Sequence, residues 1–308
     1  MLYANSSAIV ALAYSAGSGP TIRTQEAGQY DVWHPIYFAL ASDPLVNTKC
    51  TLYCNGISTP ATIHIPAKAR AAQGSDHHLG VVQPDGTEID FWLVSDIGRD
   101  WKTGDTVTYG GGGNCNNFLS GPGIGSNEAT LGGACLASGI VRATEMQAQA
   151  INHALFLVTG CLDPGANSYV YPATQAGQHC TGPGPNPYDG MRVQLDLTDA
   201  QINALSVTAW EKTILHALHD YGGYLMDTGG GDMPHTDGLV GVMFESPEPY
   251  AAYGNAVPLD AWAQSVGWQA ITIAGAGTRY IGADPWTPLN WAQHLRIVDP
   301  CYAMGTCH

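Results

Sequence analysis

The sequence predicts a mainly β protein: β-sandwich or jelly-roll-like sheets with two or three peripheral helices and disulfide-stapled loops. Three observations predict this class. Short runs of β-branched and aromatic residues recur along the chain, 38 glycines and 19 prolines are spread between them, and eight cysteines lie in the connections. With 308 residues, 45% of them hydrophobic, the chain can bury a large core. Because no linker or internal repeat interrupts it, we predict a single β-rich domain over residues 1–308.

Ten segments have the composition of β-strands. In chain order they are VWHPIYFAL, ATIHIP, HLGVVQ, EIDFWLVS, TVTYG, INHALFLVTG, MRVQLDL, GYLMDTG, LVGVMFES and HLRIVDP. The clearest helix covers residues 208–221, because Trp210, Ile214 and Leu218 recur at helical spacing and two glycines follow as a stop signal. A second helix, at residues 198–205, opens on a Thr-Asp cap, and weaker helical patterns lie at residues 5–14 and 259–268.

The cysteines, at positions 50, 54, 115, 135, 161, 180, 301 and 307, predict four disulfide bonds. No Cys-x-x-Cys pair is present, so neither a zinc ribbon nor a thioredoxin-type site is favoured. We predict sequential pairing, 50–54, 115–135, 161–180 and 301–307, which closes Gly-, Pro- and Asn-rich loops. Since disulfides persist in oxidising compartments, we expect a secreted protein. Free buried thiols in a cytosolic protein are the alternative.

The charge of the chain restricts its partners. Lys and Arg number 11 against 26 Asp and Glu, which gives a net charge of −15. Nucleic acids and anionic membranes attract basic surfaces, so neither is expected to bind. No run of eighteen apolar residues occurs, so membrane insertion is not expected. Neutral or cationic ligands are the easier partners, and a polysaccharide or oligosaccharide fits this charge.

A predicted hairpin, GSDHHLGVVQPDGTEIDFW at residues 74–92, is the most informative motif. Its Pro-Asp-Gly at residues 84–86 fits a three-residue loop with the glycine in a left-handed conformation and a G1 bulge. That loop predicts four cross-strand pairs: Gln83 with Thr87, Val82 with Glu88, Gly80 with Asp90, and His78 with Trp92. A two-residue Asp-Gly loop would instead shift the ladder by one and send His78 to the core face.

Strand alternation sends residues 89, 91 and 93 to the core and residues 88, 90 and 92 to the opposite face, which His78 joins. Sugar chemistry uses such a set, because aromatic rings stack on pyranose faces and carboxylates stabilise an oxocarbenium-like transition state. We therefore predict Asp90, with Glu88 or Asp76, as the catalytic carboxyls and Trp92 as a platform for substrate. The alternative is a solvated sheet face whose Trp92 is covered by a loop.

Several other residues are candidates for the same cleft. His78 or His153 could abstract a proton, with Tyr171 assisting at the substrate. No cofactor is required, although His78, His153 and a carboxylate could hold a single metal ion; a hydrogen-bonded core or rim histidine is the alternative for His153. Asp227 ends a strand before three glycines, which suits a cleft residue that contacts substrate, or equally a turn aspartate that caps its own loop.

Two resemblances accompany these patterns. EIDFW resembles the Glu-x-Asp strand of concanavalin-like β-sandwich glycosidases, but Trp92 and Leu93 stand where that family has a second catalytic glutamate. Over most of the chain, a longer set of segments resembles a group of secreted, largely uncharacterised proteins of soil bacteria, especially actinobacteria. These segments are NSSAIV, GSDHHL, DFW, LASGIVRATEM, INHALF, YPAT, DGMRVQLDL, YGGYLMDTGGG and HLRIVDPC. The longer resemblance implies secretion and a common fold and supplies no reaction.

Three functions fit the sequence. The first is a secreted glycoside hydrolase that cleaves a neutral polysaccharide by carboxylate acid/base catalysis. The second is a polysaccharide lyase in which His78 or His153 removes the proton α to a uronate, a reaction that needs an arginine, a lysine or a metal ion to neutralise the uronate. The third is a non-catalytic glycan-binding or cell-surface protein, for which eight tryptophans and fifteen tyrosines supply stacking surface.

Overall fold

The computed structural model describes residues 2–14, 34–54, 59–73, 76–95, 98–117, 126–127, 129–159, 162–163, 165, 168–177, 185–228, 240–273, 277–281, 289 and 291–301. Within these ranges the chain forms two main β-sheets, a two-stranded ribbon and seven helices, six of which have nine residues or fewer. The prediction of a strand-rich fold with few helices is confirmed.

The first sheet is built from the N-terminal part of the chain. Its strands are β1 Ile36–Phe38, β2 Leu45–Tyr53, β3 Thr62–His64, β4 Leu79–Val82, β5 Thr87–Trp92, β6 Thr106–Asn117 and β7 Ser126–Asn127. Their order is β1-β4-β5-β6-β2-β3, with β7 paired to β6. The β1–β4 and β2–β6 pairs are parallel and the others antiparallel, so the sheet is mixed.

The second sheet follows in the C-terminal part. Its strands are β8 Leu155–Thr159, β9 Arg192–Leu195, β10 Gly223–Thr228, β11 Val240–Val242 and β14 Leu295–Val298, in the order β11-β8-β10-β9-β14. Only the β8–β10 pair is parallel among these strands. A separate antiparallel ribbon is formed by β12 Gln269–Ile273 and β13 Gly277–Ile281.

Four of the helices coincide with predicted ones. They are α1 Ser6–Tyr14, α3 Asp199–Ala204, α4 Ala209–Asp220 and α6 Pro258–Ser265. Helices α3 and α4 each begin at a threonine N-cap, Thr198 and Thr208, whose side chain forms a capping box with the residue three positions later. Three short helices were not predicted: α2 Ala143–Ala148, α5 Glu248–Ala251 and α7 Trp291–His294.

Hydrophobic side chains cover both faces of the first sheet. On one face Ile89 and Phe91 of β5 pack with Trp101 in a core beneath the sheet. Near the opposite face Ile36 of β1 contacts a cluster that includes Phe156 of β8 and its neighbours in the second sheet. The largest cluster lies between the second sheet and its helices. A hydrophobic contact therefore joins the two sheets, and it is at this junction that most of the predicted functional side chains lie.

The cysteine prediction is confirmed for two pairs. Cys50 bonds to Cys54 and Cys115 bonds to Cys135. Cys301 is also disulfide-bonded; because the other four described cysteines pair with one another, its partner is outside the described residues. The predicted 161–180 bond lies wholly outside them. No helix in the described ranges is both long and apolar enough to cross a membrane.

Removing the Cys115–Cys135 bond is expected to destabilise the fold more than removing Cys50–Cys54. In the loop-entropy account, the unfolded chain gains freedom worth about 3 kcal/mol for a 20-residue loop and about 2 kcal/mol for a 4-residue loop. Cys115 and Cys135 are also buried, so their loss removes packing. Urea unfolding of the two Cys→Ala double variants measures this difference, and an equal or reversed loss would contradict it.

Candidate functional site

The predicted hairpin forms from β4 and β5, and its turn has the predicted geometry. Gly86 has a φ of +88° and donates its N–H to the Gln83 carbonyl at 2.9 Å. The Gln83 N–H in turn donates to the Thr87 carbonyl at 2.7 Å, which closes the loop. The remaining pairs follow the predicted register: Leu79 with Phe91, Gly80 with Asp90, Val81 with Ile89, and Val82 with Glu88.

The face that carries Glu88 and Asp90 is covered by protein. These side chains are 2% and 0% exposed. The Ala137 N–H donates to Glu88 Oε1 at 2.9 Å, and the Leu136 N–H donates to Asp90 Oδ2 at 3.0 Å. Asp90 and Glu88 also interact with each other through their side chains. Together they tie β5 to the segment that leads away from Cys135.

Burial raises the pKa of both carboxyls, because a charge is costly away from water. For Asp90 the pKa lies well above its ordinary value, through burial first and the neighbouring Glu88 charge second. Sγ of Cys115 lies 3.1 Å from Asp90 Oδ2, and a disulfide sulfur has no proton to donate, which also favours a protonated Asp90. The disulfide likewise removes Cys115 and Cys135 as thiolate ligands, so this group is not a metal site. The catalytic roles of Asp90 and Glu88 stay predictions, and a substrate would have to displace the covering segment to reach them.

The variant Asp90→Asn is expected to weaken the pH dependence of stability. The folded chain keeps the Asp90 proton where the unfolded chain, with the ordinary pKa of 3.8, has lost it. The stability that this proton contributes to the fold is therefore complete below the pKa of the unfolded chain and is lost as pH rises through the pKa of the folded chain. Asparagine has no such proton to lose, yet its amide can still donate to Glu88.

Urea unfolding between about pH 4 and about pH 8 measures this effect. The stability of Asp90→Asn relative to the wild type should increase as pH rises. The exposed Asp220 provides the control Asp220→Asn, which should follow the wild-type curve. Parallel curves for Asp90→Asn and the wild type would show that Asp90 holds no extra proton in the fold.

Two buried histidines lie side by side next to this carboxyl pair. Because β1 and β4 are parallel and Ile36 pairs with Gly80, the residues two positions earlier, His34 and His78, occupy equivalent positions. Their ring centroids are 5.0 Å apart in an edge-to-face arrangement. Each ring is held by a backbone carbonyl, His34 Nδ1 at 2.9 Å from the Leu136 oxygen and His78 Nε2 at 2.9 Å from the Ala129 oxygen. Burial, and then the proximity of His78, lowers the pKa of His34 well below its ordinary value, so its imidazole is neutral.

Asp227 reaches these histidines from the other sheet. The β8–β10 register shifts between Leu225 and Asp227, which makes a β-bulge at Met226. Leu225 packs among the helices and Met226 packs toward the first sheet, so regular alternation would send the next side chain back to the helices. The bulge instead keeps Asp227 on the side of the first sheet. One ligand atom from each of His34, His78 and Asp227 lies within 4.8 Å of the others, and we call these three residues the histidine–aspartate cluster.

More carboxyl groups surround Asp227. Burial raises its pKa well above the ordinary value, and the charges of Asp76 and Asp189 raise it further. Asp189 is fully buried and accepts a hydrogen bond from the Gly177 N–H at 3.0 Å. Burial raises the pKa of Asp189 to about 7. The charges acting on the cluster are thus predominantly negative.

An aromatic pair borders the partly exposed side of this region. The pairing of β4 with β5 ends at Leu79 and Phe91, because His77 and Leu93 have positive φ. The predicted pair of His78 with Trp92 therefore does not form. The indole Nε1 of Trp92 instead donates to Asp76 Oδ1 at 3.0 Å. Its ring centroid lies 5.8 Å from that of Tyr53, which is 58% exposed. Asp76, Trp92 and Asp227 are all partly exposed, so the region opens to the surface here.

No family is identified by comparison. The chain matches no protein-family model, no curated protein and no solved structure. The arrangement of the side chains is accordingly the basis for assigning a function.

The structure brings together only part of the predicted site. Asp76, His78, Trp92 and Asp227 lie in one region, whereas His153 does not join it. His153 Nε2 lies 2.9 Å from Glu145 Oε1 and its Nδ1 lies 2.9 Å from the Ala154 carbonyl oxygen. Burial lowers the pKa of His153, but the hydrogen bonds to Glu145 and Ala154 outweigh it and raise the pKa overall. This is the hydrogen-bonded rim histidine that the sequence offered as the alternative.

Two members of the region were not singled out from the sequence, His34 and Asp189. His34 belongs to a predicted strand, and its position directly before Pro35 and β1 was the available signal. Asp189 precedes a glycine in a Gly-, Pro- and Asn-rich stretch and resembles an ordinary turn residue. Tyr171 is exposed and forms a cis peptide bond with Pro172; its contact with substrate stays a prediction.

Proposed function

We propose that this chain is a secreted carbohydrate-active enzyme that hydrolyses a neutral polysaccharide at the mouth formed by Asp76, Trp92 and the histidine–aspartate cluster. The observation that carries the proposal is the pairing of Trp92 with Asp76. The indole holds the carboxylate at 3.0 Å while its ring lies beside the exposed ring of Tyr53. Aromatic faces bind sugar rings, and a carboxylate fixed beside them is placed to act on the bond between two sugars.

The residues divide into three roles in this proposal. Tyr53 and Trp92 bind the faces of the sugar rings. Asp76, which accepts the indole hydrogen bond, is the base that activates water. The histidine–aspartate cluster forms the polar floor of the mouth, where the oxygen of the leaving sugar would lie and would take its proton from a water molecule on the partly exposed side. Asp90 and Glu88 then support the floor from within, since the segment that they bind also supplies the Leu136 carbonyl that holds His34.

The charge of the site favours a hydrolase over a lyase. A lyase that acts on uronates needs a cation beside the substrate carboxylate. The charged groups that act on Asp227 are Asp76 and Asp189, both negative, and the whole chain carries a charge of −15. A neutral glycan meets no such repulsion. Among the described residues, the charged groups that act on Asp227 therefore supply no positive charge for a uronate.

The finer features of the fold and location belong to the same proposal. A β-sandwich or jelly-roll arrangement is supported by the contact between the two sheets, and secretion by the disulfide bonds, which persist in oxidising compartments. Kinship with secreted proteins of actinobacteria and other soil bacteria rests on the quoted sequence segments.

A panel of neutral and acidic polysaccharides, with products analysed by mass, tests the function. The expected result is release of oligosaccharides one water heavier than elimination products, from a neutral member of the panel. Unsaturated products would establish the lyase instead. Binding to an insoluble glycan without any product would establish the non-catalytic alternative, and either result would overturn the proposal.

A further inference from the structure

We propose that the histidine–aspartate cluster binds one divalent transition-metal ion, with zinc as the expected ion, through His34 Nε2, His78 Nδ1 and the carboxylate of Asp227. The inference concerns the three side chains themselves and does not depend on the identity of the substrate. If the proposed hydrolase is also correct, the ion is the electrophile in the floor of its mouth.

The spacing of the ligand atoms suits one ion. Zinc binds nitrogen and oxygen ligands at about 2.1 Å, so two ligands of a tetrahedral site lie about 3.4 Å apart. The three ligand atoms of the cluster lie within 4.8 Å of one another before any ion draws them together. Small side-chain rotations therefore suffice to form the site.

The backbone contacts of the histidines fix the ring orientation that a metal site needs. A carbonyl oxygen can only accept a hydrogen bond, so His34 Nδ1 and His78 Nε2 carry the protons in their contacts with Leu136 and Ala129. In a neutral imidazole the other nitrogen then bears the lone pair. Metal-binding histidines almost always donate their second N–H in this way, commonly to a backbone carbonyl.

An unsatisfied atom provides a second, independent observation. His34 Nε2 is buried and has no hydrogen-bond partner among the described residues. Such a buried polar atom normally costs stability and calls for a partner. Oδ1 of the buried Asp189, in the carboxyl group that acts electrostatically on Asp227, is likewise without a partner in these residues. A cation in the cluster would complete the coordination of His34 and offset the negative charges around Asp227.

The ligand set also selects the class of ion. Calcium and magnesium take oxygen ligands almost entirely, whereas imidazole suits zinc, iron, copper and nickel. Two imidazoles and one carboxylate leave a further coordination position open, as in catalytic zinc sites with three protein ligands. The open position would face Asp76 and Trp92 on the partly exposed side.

Metal binding is measured on the whole chain without any polysaccharide. After dialysis against a chelator, the protein is equilibrated with zinc, and bound metal is determined by mass spectrometry and titration calorimetry. We expect one ion per chain, with calcium and magnesium in excess failing to displace it. The variant His34→Gln should weaken binding by more than about tenfold. The matched control is His153→Gln, which removes a histidine paired with Glu145 outside the cluster and should bind zinc as the wild type does.

X-ray absorption at the zinc edge keeps the test independent of how the variants fold. The zinc-loaded wild type should show two imidazole nitrogens and carboxylate oxygen around the ion. Absence of stoichiometric binding, a first shell without imidazoles, or equal affinity in folded His34→Gln would overturn the inference. A chain that binds zinc in this way but cleaves no polysaccharide would overturn only the proposed function, and cleavage by a metal-free chain would overturn the role of the ion as electrophile.

Discussion

Replacing Gly190 with alanine is expected to lower the free energy of unfolding by about 4 kcal/mol or more. Gly190 has a φ of +82°, a left-handed conformation that costs other residues about 1–2 kcal/mol. A Cβ atom there would also lie 1.8 Å from the Val170 carbonyl oxygen and 2.8 Å from the Ala173 nitrogen. Because both atoms belong to the backbone, the chain itself must move to relieve the clash.

A second glycine separates conformation from crowding. Gly267 has the same φ of +82°, but among the described residues no atom outside its chain neighbours lies within 4 Å of the position its Cβ would occupy. Gly267→Ala should therefore show only the conformational part, about 1–2 kcal/mol. Chemical unfolding of both variants measures the difference. Similar losses for the two variants would mean that the contact with Val170 is not rigid, and would contradict the prediction.

The variant Asp76→Asn is expected to reduce kcat/KM by about 10²- to 10⁴-fold on the polysaccharide that the panel identifies. An amide cannot take the proton of the attacking water. Trp92→Phe keeps an aromatic face but removes the N–H that holds Asp76, so it should lower kcat more than it raises KM. Initial rates on the purified substrate measure both effects.

Two further aspartates make this test specific. Asp199→Asn changes an exposed carboxyl on α3 and should leave kcat/KM unchanged. Asp90→Asn distinguishes the proposed centre from the catalytic role predicted from the sequence. In the proposed centre the buried Asp90 supports the fold, and the variant keeps most of its activity. A loss of kcat/KM as large as that of Asp76→Asn would contradict this and support Asp90 as the catalytic carboxyl.

Local chemistry made the hairpin predictable. The Pro-Asp-Gly turn determines the loop length, and the loop length determines the register, so the pairing of Gly80 with Asp90 followed from the residues alone. Helices α3 and α4 were predictable for the same reason, because threonine caps and helical periodicity are both local. Strand β2 was missed because most of its side chains are exposed or half-buried, which leaves no apolar alternation to recognise. No element was predicted over the β12–β13 ribbon; the predicted helix at residues 259–268 runs three residues past α6 and ends just before β12.

The site was predictable only where it is local. Asp76, His78 and Trp92 belong to one hairpin, so the sequence places them near one another, although the predicted pair of His78 with Trp92 does not form. His34 joins His78 through the parallel β1–β4 pair, which depends on how distant segments associate. Asp227 lies in the cluster because of a β-bulge, and no residue pattern in the sequence predicts that bulge. The burial of Glu88 and Asp90 could not be predicted either, because strand alternation assigns side chains to two faces and does not show what covers each face.

The Ile297 N–H donates a hydrogen bond to the Ser6 hydroxyl at 2.8 Å, and this contact between distant segments bears on the order in which the protein folds. All strands of the first sheet lie within residues 36–127, so they can pair while the rest of the chain is still being synthesised. Helix α1 leaves the ribosome before any of them, yet it packs against β14, 291 residues after Ser6. Its apolar residues Ile9 and Val10 lack part of their native cover until synthesis has passed β14. We expect this helix to be among the last of the described elements to dock.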